Sequence, residues 1–364
     1  MTIVAHSHSF VIGVDTHARH HVLAVLAGNG QLIDTGSFPT SRAGLARAIA
    51  WAGRRAGGDL AALWVIEGIG SYGAQLAHTV TEAGYQVVEA APMPPRGAGG
   101  KNDELDACRI AQTVLPMDTT TLRHPRLDRG ERAALQILLT ARDQMSTERT
   151  AHINALTALV RTHQLGIDAR TALTPAQIQQ IRHWRAHHEP IAQATGRAEA
   201  VRLATRILDL DTQLATNHRS MTRLIKTTPA AELLNECGIG TVTAAVVITT
   251  WSHPGRVRSE AAFAALAGVN PIPASSGNTQ RHRLNRGGDR RLNQALHMAI
   301  ITRMTHHDDT RSYVERRTQE GKTKREIRRC LKRYLARQIH RALTAASRAD
   351  DIAEDTIAGT PLSD

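Results

Sequence analysis

Between Phe10 and Phe38 three short β-forming runs follow one another with little between them, and no other stretch constrains the fold as much. Phe10–Val14, His21–Ala27 and Gln31–Phe38 are rich in Val, Ile, Leu and Phe, and Gly28-Asn29-Gly30 supplies a tight turn between the last two. Ser41 then caps a helix containing Leu45 and Ile49. Leu63–Ile66 reads as a strand, a helix runs from about Tyr72 to Ala83, Gly84 ends it, and Tyr85–Glu89 is one more strand. Pro92, Pro94, Pro95, Gly97, Gly99 and Gly100 make a loop before a helix that starts near Asp103. Three successive strands, followed by alternating helix and strand, predict an α/β domain over residues 1–120, a mixed sheet with helices on its faces.

The rest of the chain reads as α. Over 121–228, Ala/Leu-rich segments with alternating charge run from Leu127 to His163 and from Gly196 to Lys226. Leu203, Ile207, Leu210, Leu214, Asn217, Met221 and Leu224 fall on heptad d and a positions, with the polar Asn217 at d. A self-associating coiled-coil arm is the expectation, and an antiparallel hairpin within the chain is the alternative. Residues 229–346 read as a mainly helical domain with irregular loops, and 347–364 as a disordered acidic tail.

No apolar run approaches the roughly 20 residues of a membrane helix, so no membrane association is expected. Cys108, Cys237 and Cys330 are isolated and form neither a CxxC pair nor a disulfide framework, which predicts a reducing, cytoplasmic setting. The net charge of +12 is concentrated: Ser276–Ala345 holds 18 Lys+Arg and 6 Asp+Glu, and the remainder of the chain is balanced. A segment carrying the entire excess predicts a polyanionic partner. Aromatic residues make up only 3% of the chain, which argues against binding by stacking many bases.

Asp15 ends the first strand, Glu67 ends another, and Asp103 and Asp106 stand i, i+3 at a helix start, on one face. Singly, each has a structural explanation as a turn, cap or first-turn residue. Together they predict a cleft of carboxylates whose repulsion a pair of Mg2+ ions relieves. Two such ions assist phosphoryl transfer by activating the attacking oxygen and stabilising the leaving one.

At this point the chain resembles the insertion sequence 110 family of transposases, which have a RuvC-like DEDD domain. Gly13–Asp15, Glu67–Tyr72 and Lys101–Ala107 match the N-terminal motifs. Gly238-Ile239-Gly240-Thr241 with Thr243-Ala244 matches a helix-hairpin-helix-like stretch. Ala267–Pro271, Ser276-Gly277, Arg283, Gly288, Arg290, Arg291 and Leu292 match the segment that carries the nucleophilic serine. Ile69 and Asn102 depart from the usual pattern without removing a carboxylate. The resemblance implies an RNase H/RuvC-like N-terminal domain and a bacterial DNA recombinase acting through a phosphoserine link at Ser276. It also implies donor and target double-stranded DNA, a structured non-coding guide RNA, and a homo-oligomer, dimer or tetramer, in which the acids of one subunit face the serine of another.

Taken by itself, Ser275-Ser276-Gly277-Asn278 is simply good turn chemistry. Arg281, Arg283, Arg286, Arg290 and Arg291 crowd the same region and suit DNA phosphates. Lys322, Lys324, Arg325, Arg328, Arg329, Lys332, Arg333 and Arg337 lie on an expected helix that is basic nearly all round, a second candidate nucleic-acid surface. Gly238-Ile239-Gly240 fits either a phosphate-binding helix start or a tight helix–helix turn. His17, His20 and His21 lie near Asp15, where one can carry a proton, but without zinc spacing the histidines read as surface or structural. The competing functions are a Mg-dependent RuvC-like structure-specific endonuclease with water as nucleophile, an actin-like sugar kinase suggested by Val11–Asp15, and a non-catalytic nucleic-acid-binding protein. The kinase reading lacks a Gly-Thr-rich phosphate turn after Asp15 and gives the basic C-terminal segment no task.

Overall fold

A computed structural model of the chain describes residues 2–91, 93, 102–126, 129–163, 165–274 and 282–358. Backbone contacts divide it into two compact units, Met1–Asp128 with Ser252–Arg256, and Arg129–Trp251 with Val257–Asp364.

The first unit begins with a short helix, α1 (Val4–Ser7), and is built on a five-stranded sheet in the order β3-β2-β1-β4-β5. β1 (Phe10–Thr16), β2 (His20–Ala27) and β3 (Leu32–Pro39) form an antiparallel meander. α2 (Arg42–Arg55) follows, with Ser41 Oγ accepting from the Gly44 amide as the expected cap. β4 (Leu63–Ile66) returns parallel to β1, and after α3 (Ala74–Glu82), β5 (Gln86–Glu89) adds parallel to β4. This mixed sheet is consistent with the expected RNase H-like domain.

Alternation along β1 sorts its side chains. Ile12 and Val14 face α2 and α3 in one core with Leu23, Val25, Trp64, Leu45 and Leu76. Val11 faces the other core, which α4 (Asp103–Val114) closes with Ala107, Ile110, Ala111 and Val114. Gly13 shares that second face. A Cβ built on Gly13 would lie 2.1 Å from the Ala107 carbonyl oxygen and 2.7 Å from the Ala111 amide nitrogen. Only a glycine admits the helix so close to the strand.

In the second unit, α5 (Gly130–Thr162) and α7 (Ile191–Lys226) pair antiparallel, with α6 (Pro175–Arg182) packed near their far end. Arg142 donates to the Leu214 carbonyl, Arg206 Nε lies 2.7 Å from Glu148 Oε1, and Asn217 Nδ2 donates to the Leu138 carbonyl at 2.9 Å. The heptad residues Leu203, Ile207, Leu210 and Met221 are buried within the chain. The alternative of an intrachain hairpin is therefore the one found, and the seam expected between subunits is filled by α5. Asn217 matches a backbone carbonyl across the pair instead of a second copy of itself.

The remaining core gathers α8 (Thr241–Trp251), α9 (Glu260–Leu266), α10 (Arg290–His306), α11 (Asp308–Gln319) and α12 (Lys324–Ala358) around the base of the α5–α7 hairpin. α8 is buried nearly all round. Gly238 precedes it at φ 81°, and a Cβ there would lie 2.5 Å from the Ala299 carbonyl oxygen, which fits the tight helix–helix turn. α12 is not basic all round: Ile327, Leu331, Leu335, Ile339 and Leu343 form a buried stripe at helical spacing. It continues to Ala358, beyond Ser347 where a disordered tail is expected, through the helix-favouring alanines 342, 345, 346, 349 and 353. Among the described residues no helix is long and apolar enough to cross a membrane.

Candidate active site and nucleic-acid interface

The carboxyl ends of β1 and β4 lie side by side, because parallel pairing sets Val14 against Ile66. The next residues are Asp15 and Glu67. The Glu67 amide donates to the Val14 carbonyl at 3.1 Å, and Thr16 Oγ1 donates to the Glu67 carbonyl at 3.0 Å, so the two strand ends are tied together. Gly68 at φ 61° turns the chain away, and Gly73 packs on the Glu67 carbonyl, where a Cβ would come within 2.7 Å.

α4 enters over the same edge. Asn102, one of the two departures from the family pattern, is its N-cap, with Oδ1 accepting from the Glu104 amide at 2.9 Å. The close approach at Gly13 sets the first turn of the helix above the end of β1. Asp15 is buried on that same strand face, and Asp106 is buried on α4 with Arg109 3.7 Å away. Asp103 is half-buried, and one imidazole joins it to Asp15: His17 Nε2 lies 3.3 Å from Asp15 Oδ2 and 3.4 Å from Asp103 Oδ2. His20 Nε2 stands 4.0 Å from Asp103 Oδ2, and the two imidazole rings are 5.1 Å apart, centre to centre. Behind them His21 is buried; burial pushes its pKa down to about 4, and His17 and His20 add to the effect.

Of the four acids, Asp15 and Asp103 thus meet on a shared partner, and Asp106 is buried one turn along the helix. Glu67 is fixed through its backbone; its carboxylate is exposed and has no ion pair or hydrogen bond among the described residues. Asp15 and Asp103, brought together from a strand and a helix, offer hard oxygen donors of the kind that suit Mg2+, and among the described residues the carboxylates of Glu67 and Asp106 do not stand at ligand spacing with them. The histidines, read from sequence as surface or structural, are part of this edge. The available signal was spacing: His17 follows Asp15 by two residues, which in an extended chain means the same face.

The second unit holds the basic segment. β6 (Ile272–Pro273) and β7 (His282–Arg283) pair antiparallel, setting Ile272 against Arg283 and Pro273 against His282. Ser276 and Arg281 fall between them in sequence and lie outside the described residues. The base of this pair is anchored by two glycines in contact. A Cβ on Gly288 would lie 2.2 Å from the Gly268 nitrogen, and Gly268 itself sits at φ 64°. Asn285 Nδ2 donates to Asn270 Oδ1 at 2.7 Å, and Asn293 Nδ2 to the Ala267 carbonyl at 2.7 Å.

Beside β7 opens a cavity of about 670 Å³, lined among others by Arg283, Arg317, Lys322, Arg329, Lys332 and Arg333, with Glu326 as its acid. Glu326 is engaged in a capping box with Thr323 at the start of α12. Exposed Arg283, Arg286, Arg290, Lys322, Lys324, Arg325 and Arg329 leave their charge available, and Arg328 and Arg333 are partly buried. Three of the sequence candidates are held by other tasks, among them Arg337, whose Nε lies 2.7 Å from Glu260 Oε2. Arg291 pairs with Asp143 and donates to the Leu139 carbonyl at 2.7 Å, tying α10 to α5. Lys332 is buried and donates to Asn293 Oδ1 at 3.0 Å; burial and the neighbouring Arg329 lower its pKa.

Comparison with known families agrees with both halves. Residues 12–164 match the family model of the DEDD transposases of IS110, and residues 230–315 match that of the IS116/IS110/IS902 transposases. No curated protein matches the chain. With two family models satisfied in order, the chain belongs to the IS110 family of transposases and is a DNA transposase.

Proposed function

We propose that this transposase cuts and rejoins DNA through a phosphoserine at Ser276, assisted by Mg2+ held by Asp15, Glu67, Asp103 and Asp106, and is directed by a structured RNA. The observation that carries the acid half is the meeting of Asp15 and Asp103 on His17, carboxylates from two separate elements converging at one sheet edge. Bound Mg2+ supplies neutralisation of the scissile phosphate and lowers the cost of removing the serine proton. The Ser276 oxygen bonds to phosphorus as a deoxyribose oxygen departs with a proton. A strand end's hydroxyl then attacks the phosphoserine, and the serine oxygen leaves and regains its proton. Arg283, Lys322, Arg329 and Arg333 around the cavity hold backbone phosphates beside this exchange.

Concentrated positive charge in a chain only 3% aromatic supports backbone contacts by the protein, with site choice left to RNA–DNA pairing. The acid and serine halves must meet in a donor–target complex, and the family resemblance implies that they do so across subunits of a dimer or tetramer. The test is recombination of donor and target plasmids by purified protein with its co-purified RNA. Asp15→Ala and Ser276→Ala are each expected to abolish joining, with Ser276→Ala still binding DNA. Recombination by Ser276→Ala at the wild-type rate excludes the serine, and strand cleavage to free ends favours the hydrolytic nuclease.

A further inference from the structure

The cavity beside β7 is lined by two kinds of side chain, the cations Lys322, Arg329 and Arg333 and the apolar groups Leu284, Ile327 and Tyr334. Backbone phosphates require only the first kind. Leu284 is 46% exposed and Tyr334 53%, so both present open apolar surface. Tyr334 is also the one exposed aromatic residue among the described residues of the second unit.

Its ring is held from behind. Tyr313 on α11 meets it edge to face, with ring centres 5.9 Å apart and planes at 87°. The guanidinium groups of Arg316 and Arg317 stand over Tyr313, 5.4 and 5.8 Å from its centre. Packing of this kind fixes a ring through its neighbours, and here half of the fixed ring stays open. An exposed tyrosine alone is ordinary surface, so a second observation matters. Arg333 is partly buried, and its Nη1 is enclosed without a hydrogen bond among the described residues. Buried guanidinium donors are seldom left unpaired, and a phosphate oxygen in the cavity would pair this one.

We propose that the cavity takes one unpaired nucleotide, its base stacked on Tyr334 beside Leu284 and its phosphate held by Arg333 and Lys322. This rests on the reading of the cavity as a place for backbone phosphates, and adds that a base enters with them. Bases inside a duplex have their faces covered by their neighbours, so only an extruded or single-stranded nucleotide can use the ring. The volume of about 670 Å³ lies within the roughly 300–1,000 Å³ of sites that enclose small organic groups. Exchange of strands between donor and target passes through unpaired nucleotides. The 3% aromatic content argues against stacking many bases, and one fixed ring is compatible with stacking one. The chemistry is that of a nucleotide, from DNA or from RNA.

The test uses full-length protein cleared of co-purified RNA and four fluorescent probes: oligothymidylate, the same chain with abasic sites, oligouridylate and duplex DNA. Wild type is expected to bind oligothymidylate more tightly than its abasic analogue by roughly 5- to 150-fold, the range for stacking one base on an aromatic ring. Tyr334→Leu, which keeps apolar cover without a π face, should remove that difference and leave duplex affinity within about twofold. Tyr334→Phe should retain it, and Lys322→Ala should weaken the base-bearing and abasic chains alike. Tighter binding of oligouridylate than of oligothymidylate assigns the nucleotide to RNA, and the reverse assigns it to DNA. Equal affinity of wild type for the base-bearing and abasic chains, or a Tyr334→Leu loss shared equally by both, overturns this inference alone. Unchanged binding of the abasic chain by a Lys322→Ala, Arg329→Ala double variant overturns the phosphate reading of the cavity with it.

Discussion

Replacing Gly13 with Ala should separate the two halves of the acid site without touching a carboxylate. In an ordinary strand this change is favourable by roughly 0.5–1 kcal/mol, because alanine has less chain entropy to lose. Here the new Cβ would lie 2.1 Å from the Ala107 carbonyl oxygen and 2.7 Å from the Ala111 nitrogen, and 2.9 Å from the Ala111 Cβ. The first two are helix backbone atoms with no rotamer to adjust, so α4 must move outward by on the order of 1 Å. Overpacking of this kind costs roughly 1–3 kcal/mol, which outweighs the entropic gain and reverses the sign. The helix takes Asp103 and Asp106 with it, while Asp15 stays on β1. A misplacement near 1 Å costs on the order of 100-fold in rate. Thermal unfolding, amide exchange over residues 103–114 and plasmid recombination should therefore all worsen together. A Gly13→Ala protein that melts higher than wild type and recombines normally would refute the claim that this close approach sets the site.

Other consequences separate structural from binding charge. Arg303 is buried, with bonds to the Cys237 carbonyl at 2.7 Å, Gln338 at 2.8 Å and Glu236 at 2.8 Å. Arg303→Met should destabilise the second unit, towards the lower end of the roughly 3–5 kcal/mol for breaking a buried pair, since Glu236 keeps some solvent; denaturant melts measure it. Lys322→Ala and Arg329→Ala should each lower the log–log salt dependence of DNA binding by about 0.9 per lost phosphate contact, whereas Arg291→Ala, whose guanidinium is already held by Asp143, should leave that slope unchanged. Hydrogen bonds from Arg341 and Arg337 hold the Glu260 carboxyl down at about 2, from an ordinary 4.5. Its folded pKa is depressed, so its contribution is present above 4.5 and disappears as pH falls towards 2. The melting-temperature gap between wild type and Glu260→Gln should close over that range.

What the sequence disclosed was local. Strand runs, the Ser41 cap and the position of Asp15 at a strand end depend on neighbours in the chain, and they appear where alternation and turn chemistry place them. The start of α4 at Asp103 was legible from the Pro/Gly-rich stretch before it, and the structure adds Asn102 as its cap. What stayed hidden was contact at long range. Arg291 and Asp143 are far apart in sequence, and no pattern near either residue shows that one neutralises the other. The buried stripe of α12 was masked by the density of charge around it, because apolar residues every fourth position are easily overlooked among arginines. The seam of α7 showed that a partner helix was needed, but periodicity is the same whether that helix is α5 or a second chain. The histidines were visible as neighbours of Asp15, and only the turn from β1 into β2 brings His17 and His20 onto Asp103.

The most direct test is to trap the reaction midway. Wild-type protein, its RNA and donor DNA would be quenched in denaturant with Mg2+ present, digested, and the covalent protein–DNA adduct mapped by mass spectrometry. The account predicts a nucleotide linked to the peptide containing Ser276, absent without Mg2+ and absent in Asp15→Ala. Cleaved DNA with free ends and no adduct, or an adduct on any other residue, would contradict it.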